Sequence, residues 1–435
     1  MALTIKHLNA DASFLLSFAP VHPSSDGTAP PPPPFTVLLD PWLTGPSNIF
    51  HRRFSTTTQK VAPCVASLAE LPAVPDLVVV SQAKSDHCNE ATLRQLPASG
   101  TQTLILAEPA SARLIRSWKY FDRDKVRTID PWRDPRARSA AGGSGNVLRV
   151  PVPAVSPGGQ PGEVTVSWIP QKRDMSGLHG AIGITYRPPA ALGPGAALSS
   201  HPVVTDLVPT PPATPVAPGR PPRRRQMMAA AASTTDVHLF PPSPPVSPHS
   251  LRSVQSAAAL SPTSPLSRHV DPSSPGRHLT PSSSSASSNR PLSLVFSPHG
   301  ISYADLSPWA TSHLVAEAAL PLSALLHCMD GISNPWWLGG DICSGGAAGT
   351  ETAGRLGARV WVSAHDADKD VRGLGTGLLR TRRWGREEII AGIVEGGSGG
   401  GRARDVEILR LGSGEEVLVT GEGLVLAASS AETKR

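Results

Sequence analysis

Apolar and polar positions fall in short alternating blocks along both ends of this chain, and the blocks predict strands that give way to strand–helix alternation. Thr4–Leu8, Ser13–Phe18 and Phe35–Asp40 read as N-terminal strands. Leu77–Ser81 is a short apolar, β-branched run of the kind that forms a buried strand. Asn89–Leu96 suits a helix after a polar turn, Thr103–Ala107 a further strand, and Pro109 the first position of a helix running to about Tyr120. Val164–Ile169 and Ala181–Tyr186 predict a hairpin. A second series follows: strand Leu292–Ser297, helix Ser312–Leu320, strand Ser323–His327, helix Thr350–Leu356 and strand Arg359–Ser363. Val406–Leu411 and Glu416–Thr420 predict a late hairpin. The expected class is α/β with a mixed sheet or two sheets, and a helical bundle or an all-β sandwich is excluded.

Between the two series the pattern disappears. The segment 188–290 holds 21 of the 47 prolines in the 435-residue chain, with serine runs and no sustained apolar period. Such a composition buries too little surface to offset its ordering entropy, so the expectation is a disordered Pro/Ser/Arg-rich insertion of about 100 residues. Closure entropy grows only logarithmically with loop length, so the flanking parts, 1–187 and 291–425, can still form one domain, followed by a flexible tail, 426–435. Ser243, Ser247, Ser261, Ser264, Ser274, Thr210, Thr214 and Thr280 each precede proline. They offer sites to a proline-directed kinase, and the insertion could carry protein partners.

Charge narrows the function. The net charge is +6. The insertion alone has eight arginines against three acids, about +5, which leaves the folded part close to neutral. No broad phosphate-binding face is expected, hence no nucleic acid. No apolar run approaches the ~20 residues of a membrane span, and the first residues lack the organisation of a signal peptide. The expectation is a cytoplasmic protein that does not engage a membrane, with Arg223–Arg225 as a weak pointer to the nucleus. Four cysteines without a CxxC pair exclude a disulfide scaffold and a zinc ribbon.

Polar clusters stand where predicted strands end, the usual place for function in open α/β sheets. They are Ser81–Cys88 with Lys84, Asp86 and His87; Ser297–Gly300 with His299; and Ser363–Asp366 with His365. Asp40 closes a fourth strand. Carboxylate and neutral imidazole are good ligands for zinc, iron or manganese. Trp336 and Trp337 are expected to pack in the core, and Cys88 to be a buried structural thiol.

Three of these runs, LLDPWL (Leu38–Leu43), LVVVSQAKSDH (Leu77–His87) and VWVSAHD (Val360–Asp366), resemble landmarks of the metallo-β-lactamase superfamily, in particular its fungal, uncharacterised β-lactamase-like members. The likeness covers about residues 1–185 and 291–390. It implies an αββα sandwich interrupted by the insertion, with metal at one sheet edge. Where the family motif has its first two histidines this chain has Gln82 and Lys84, so the resemblance implies loss of the first metal site. The second site maps onto Asp86, His87 and His365, with His299 as a further ligand or a proton carrier. One divalent metal, zinc first and iron or manganese next, would then serve a hydrolase acting on a small ester, lactone, amide or phosphodiester. Lys84 would orient an anionic substrate, and Asp40 would orient the ligands. His179 is a poor match to the family's middle histidine. The alternative is a descendant without metal or activity that binds a ligand or partner and is regulated through the insertion.

Overall fold

The computed structural model describes residues 1–19, 32–49, 53–136, 145–155, 158–174, 176–190, 290–396, 406–420 and 424–425. Positions 191–289 of the predicted insertion, and the predicted tail 426–435, lie outside the described residues. Pro188–Ala190 belong to the fold, since Ala190 and Gln160 exchange two backbone hydrogen bonds of 2.9 and 3.0 Å. Among the described residues no helix is long and apolar enough to cross a membrane.

The chain is mixed α/β and is built on two large sheets. The eight-stranded sheet runs in the order Leu424–Val425, Glu416–Thr420, Ala2–His7, Phe14–Ala19, Phe35–Leu39, Leu77–Val80, Leu104–Ala107, Val126–Thr128. The seven-stranded sheet runs Glu407–Leu409, Val360–Ser363, Ala324–His327, Leu292–Ser297, Gly180–Arg187, Gly162–Pro170, Leu148–Val152. Each sheet is antiparallel on one side and parallel on the other. In the first, the strands from Phe35 to Thr128 are parallel neighbours. In the second, the strands from Leu292 through Val360 to Glu407 are parallel. A parallel pair places the C-terminal ends of its strands side by side, so each sheet presents one edge at which loops gather.

Alternation along the strands explains the packing. Leu3, Ile5, Phe14, Leu16, Val37, Leu39, Leu77 and Val79 of the first sheet share one core with Val164, Val166, Ile182, Ile184, Leu294, Phe296 and Val362 of the second. Phe18 stacks on Tyr186 across that core at 4.5 Å between ring centroids. The opposite face of the first sheet, through Leu38, Val78 and Ile105, is covered by Leu93, Ala112 and Ile115. The opposite face of the second, through Val295, Leu325 and Trp361, is covered by Leu306, Trp309, Ala353, Ile389 and Ile393.

Several expectations need correction. The helix predicted over Ser312–Leu320 starts earlier, as Tyr303–Trp309, and runs into a π-helical stretch, Ala310–Leu314. Pro308 inside it disguised the pattern, because proline removes a helical donor; the Ser302 hydroxyl caps the start by accepting from the Asp305 amide. The late hairpin does not form. Glu407–Leu409 joins the second sheet beside Val360–Ser363, whereas Glu416–Thr420 crosses to the first and pairs with Ala2–His7. Both segments are strands, but their periodicity carries no information about partners. The helix Arg386–Gly396 went unpredicted because Gly392, Ile389, Ile390 and Val394 depress its helix propensity; Gly392 is needed for close approach to Thr350 of the helix Gly345–Leu356. Trp336 and Trp337 are not in the core: they are 87% and 62% exposed, on a one-turn helix between Pro335 and the left-handed Gly339.

Candidate metal centre

Three strand ends converge on one point. His87 follows the strand Leu77–Val80 through a turn in which the His87 and Cys88 amides both donate to the Lys84 carbonyl, 2.9 and 2.6 Å. His299 follows Leu292–Ser297, where Gly300 donates back to Ser297 and takes φ +86°. Only glycine fits there, because a Cβ would also collide with the Ser344 hydroxyl. His365 follows Val360–Ser363 at φ +66°, and its amide donates to the Asp11 carbonyl at 2.7 Å. Asp40, which ends Phe35–Leu39, also lies in the left-handed region at φ +39°. Backbone strain of this kind collects where side chains must be aimed at a site.

His87, His299 and His365 are buried, and one ring nitrogen from each lies within 4.8 Å of the others, a group that could hold a metal ion. Their Nδ1 atoms are all engaged. His87 Nδ1 meets Asp40 Oδ2 at 2.7 Å, His299 Nδ1 meets the Ile342 carbonyl at 2.8 Å, and His365 Nδ1 meets Asp11 Oδ2 at 3.2 Å. Those acceptors place the ring hydrogen on Nδ1 and leave Nε2 as the lone-pair atom, as in metal-binding histidines steered by a carboxylate or carbonyl. His87 Nε2 and His299 Nε2 stand 3.1 Å apart. Two bare lone pairs repel at that distance, so a positive charge, a proton or a metal ion, belongs between them.

The electrostatics favour a cation. Asp40 accepts three hydrogen bonds, from His87 and from the Ser81 amide and hydroxyl at 2.7 and 2.5 Å, which fixes its orientation. Burial lowers the pKa of His87, but Asp86 and Asp40 outweigh it and hold the group above its ordinary value. Burial drives His299 well below its ordinary value, helped by His365 and His87, so it stays neutral. Burial raises the Asp86 carboxyl, but His87 and His365 outweigh it and keep it ionised. Asp86 lies outside the group of three: its Oδ2 is 4.0 Å from His365 Nε2, and its Oδ1 is buried with no partner among the described residues. A buried carboxylate oxygen without a partner among the described residues thus stands beside three imidazoles that could hold a metal ion.

Of the residues predicted from sequence, the structure therefore brings His87, His299 and His365 together, sets Asp86 beside them and places Asp40 behind His87. Lys84 is half-buried and lines a neighbouring cavity rather than the cluster. His179 is held by the Gly300 and Asp341 carbonyls, both at 3.2 Å, and is not part of the group. Cys88 is buried and its thiol is pushed far up by burial, as a structural cysteine should be.

Two residues escaped the sequence reading. Asp11 lies in the turn between the first two strands, and Lys369 in the short strand Lys369–Arg372. Lys369 Nζ donates to Asp11 at 2.9 and 3.1 Å and lies 3.3 and 3.5 Å from the two nitrogens of His365. Burial raises Asp11, but His365 and Lys369 outweigh it and hold the carboxyl well below the usual range. The available signal was Asp11 itself, an acid in an otherwise apolar run. Its partner lies more than 350 positions away and has no local mark.

A scan against protein-family models finds no match to this chain, and a search of curated proteins finds none either.

Proposed function

We propose that the protein is a metal-dependent hydrolase of the metallo-β-lactamase type, an αββα sandwich with a single-metal site. One observation supports this reading: three buried imidazoles each bring one ring nitrogen within 4.8 Å of the others while each Nδ1 meets an acceptor. His87, His299 and His365 would hold the ion, a three-nitrogen set suited to zinc and acceptable to iron or manganese. Such an ion supplies Lewis-acid polarisation and activates water at neutral pH. The remaining work falls to the chain. Asp40 holds His87 in one tautomer, Asp11 and Lys369 steady His365, and the Ile342 carbonyl steadies His299. Asp86, whose Oδ2 lies 4.0 Å from His365 Nε2 and whose Oδ1 has no partner among the described residues, would accept a proton from a nucleophile. Lys84, beside the cluster in sequence, faces the substrate side. The substrate class is a small ester, lactone, amide or phosphodiester. Phosphorylation by a proline-directed kinase, within 188–290, is the companion proposal for regulation.

The test is metal content by plasma mass spectrometry of the full chain, with His87→Ala, His299→Ala, His365→Ala and Asp40→Asn in parallel. The expected result is about one zinc, iron or manganese per chain, lost in the three alanine variants and bound about 10–100-fold more weakly in Asp40→Asn. A parent protein that takes up no metal, even when refolded with zinc, overturns the hydrolase and leaves the partner-binding reading, which Gln82 and Lys84 in place of histidines already favour.

A further inference from the structure

A cavity of about 380 Å³ is bounded by loops that also carry His87 and His299. Its lining comes from residues that flank them in sequence, Gln82 and Lys84 before His87 and Pro298 before His299, and from Arg113, Trp168 and Glu108. We infer that this cavity binds a substrate with one anionic group, carboxylate or phosphate, on an aryl-sized apolar body. The inference deepens the hydrolase reading by giving its substrate a shape and a charge.

Four observations carry it. First, the lining holds two cations, Lys84 and Arg113, and Arg113 forms no ion pair among the described residues. Second, the one carboxylate in the lining is already spent. Glu108 caps the helix Pro109–Ser117, accepting from the Ala110 amide at 2.8 Å and from the Ser111 amide and hydroxyl at 2.5 and 2.7 Å. Its charge compensates the helix N-terminus, which leaves the Arg113 guanidinium without a carboxylate to answer it in the lining. Third, Gln82 brings a neutral amide and not an acid to the lining, so Glu108 remains its one negative side chain. Fourth, Trp168 is half-buried and offers part of a large apolar ring, a surface for an aromatic or alicyclic body. The volume is within the range of small-ligand sites. Lys84 thus acquires a role as one of the two cations in the lining.

Binding is measured by isothermal titration of the full-length, metal-free protein with phenyl phosphate, with benzoate to separate phosphate from carboxylate and phenol as the uncharged control. The expected result is saturable one-to-one binding of at least one anion and none of phenol. Arg113→Gln and Lys84→Gln should each weaken it about fivefold or more, and so should added salt. Arg113 is exposed, so its replacement leaves the fold intact. Equal affinity in the parent and both variants, binding of phenol as tight as that of the anions, or no saturation with either anion overturns the inference. Anion binding without hydrolysis of any ester by the zinc-loaded protein would fail the hydrolase and leave the cavity's assignment standing. Metal-dependent hydrolysis without anion binding would do the reverse.

Discussion

An imidazole has two nitrogens, and a buried histidine must account for both. His313 shows how a ring in the core settles one of them. Its Nε2 meets the Thr165 hydroxyl at 2.8 Å, its ring lies against Trp309, and burial lowers its pKa. Glu317 and Glu163 pull the pKa up and Arg149 pulls it down, without reversing the effect of burial. With the folded value below the ordinary ~6.5, the unfolded chain binds more protons in between, so this group's contribution is complete above about pH 6.5 and declines as the pH falls toward the lowered value. In His313→Gln that contribution disappears. The urea midpoint of the variant should therefore fall less steeply than the parent's between about pH 7.5 and about pH 5.5; parallel curves would refute the assignment. The histidines of the cluster account for their nitrogens differently. Each Nδ1 has an acceptor, and one nitrogen of each ring lies within 4.8 Å of the others, an arrangement that could hold a metal ion and that His313 does not share.

At the scale of elements, helix packing depends on a few contacts without slack. Gly183, in the strand Gly180–Arg187, lies under Trp309 of the helix Tyr303–Trp309, and a Cβ there would run into the indole ring. A rigid ring at 0% exposure cannot swing away. Gly183→Ala should cost about 1–3 kcal/mol in urea unfolding, as overpacking does. A change under about 0.5 kcal/mol would mean that the helix shifts freely over the sheet. Such contacts also mark the boundary of what the sequence disclosed. Leu77–Val80 and Leu292–Ser297 were readable because a strand buried on both faces is a continuous apolar run. The helix at Tyr303 was not, because Pro308 and the π-helical stretch break the local pattern while packing on the sheet overrides it. The cluster was readable in part for a similar reason: His87, His299 and His365 each stand just past a legible strand. Asp11 and Lys369 were not, because their meaning is a contact between distant segments, and a single sequence has no term for it.

At the scale of the molecule, the pairing Tyr186↔Leu292 matters most. The antiparallel strands on either side of 188–290 are direct neighbours, so the chain leaves and re-enters the sheet at one place. On the proposed reading of that segment as an insertion outside the fold, replacing 191–289 by a six-residue glycine–serine linker removes closure entropy only, on the order of 2 kcal/mol in favour of the folded state. The excised protein should melt no lower than the parent and bind the same amount of metal. A variant that is unfolded, or has lost its metal, would show that the segment supplies part of the structure.

The pairing of Ala2–His7 with Glu416–Thr420 has a consequence in time. These partners are made about 400 residues apart, and at about 5–20 residues per second a ribosome needs roughly 20–80 s to pass from one to the other. Throughout that interval one edge of Ala2–His7 is open to any passing strand, while the other is closed by its hairpin with Phe14–Ala19. His87 and Asp40 are released early and His365 late, so the cluster cannot assemble until most of the chain has been synthesised. A nascent chain stalled before residue 365 would hold an apolar sheet without its cover and two of the three imidazoles, a species for chaperones to hold and proteases to find.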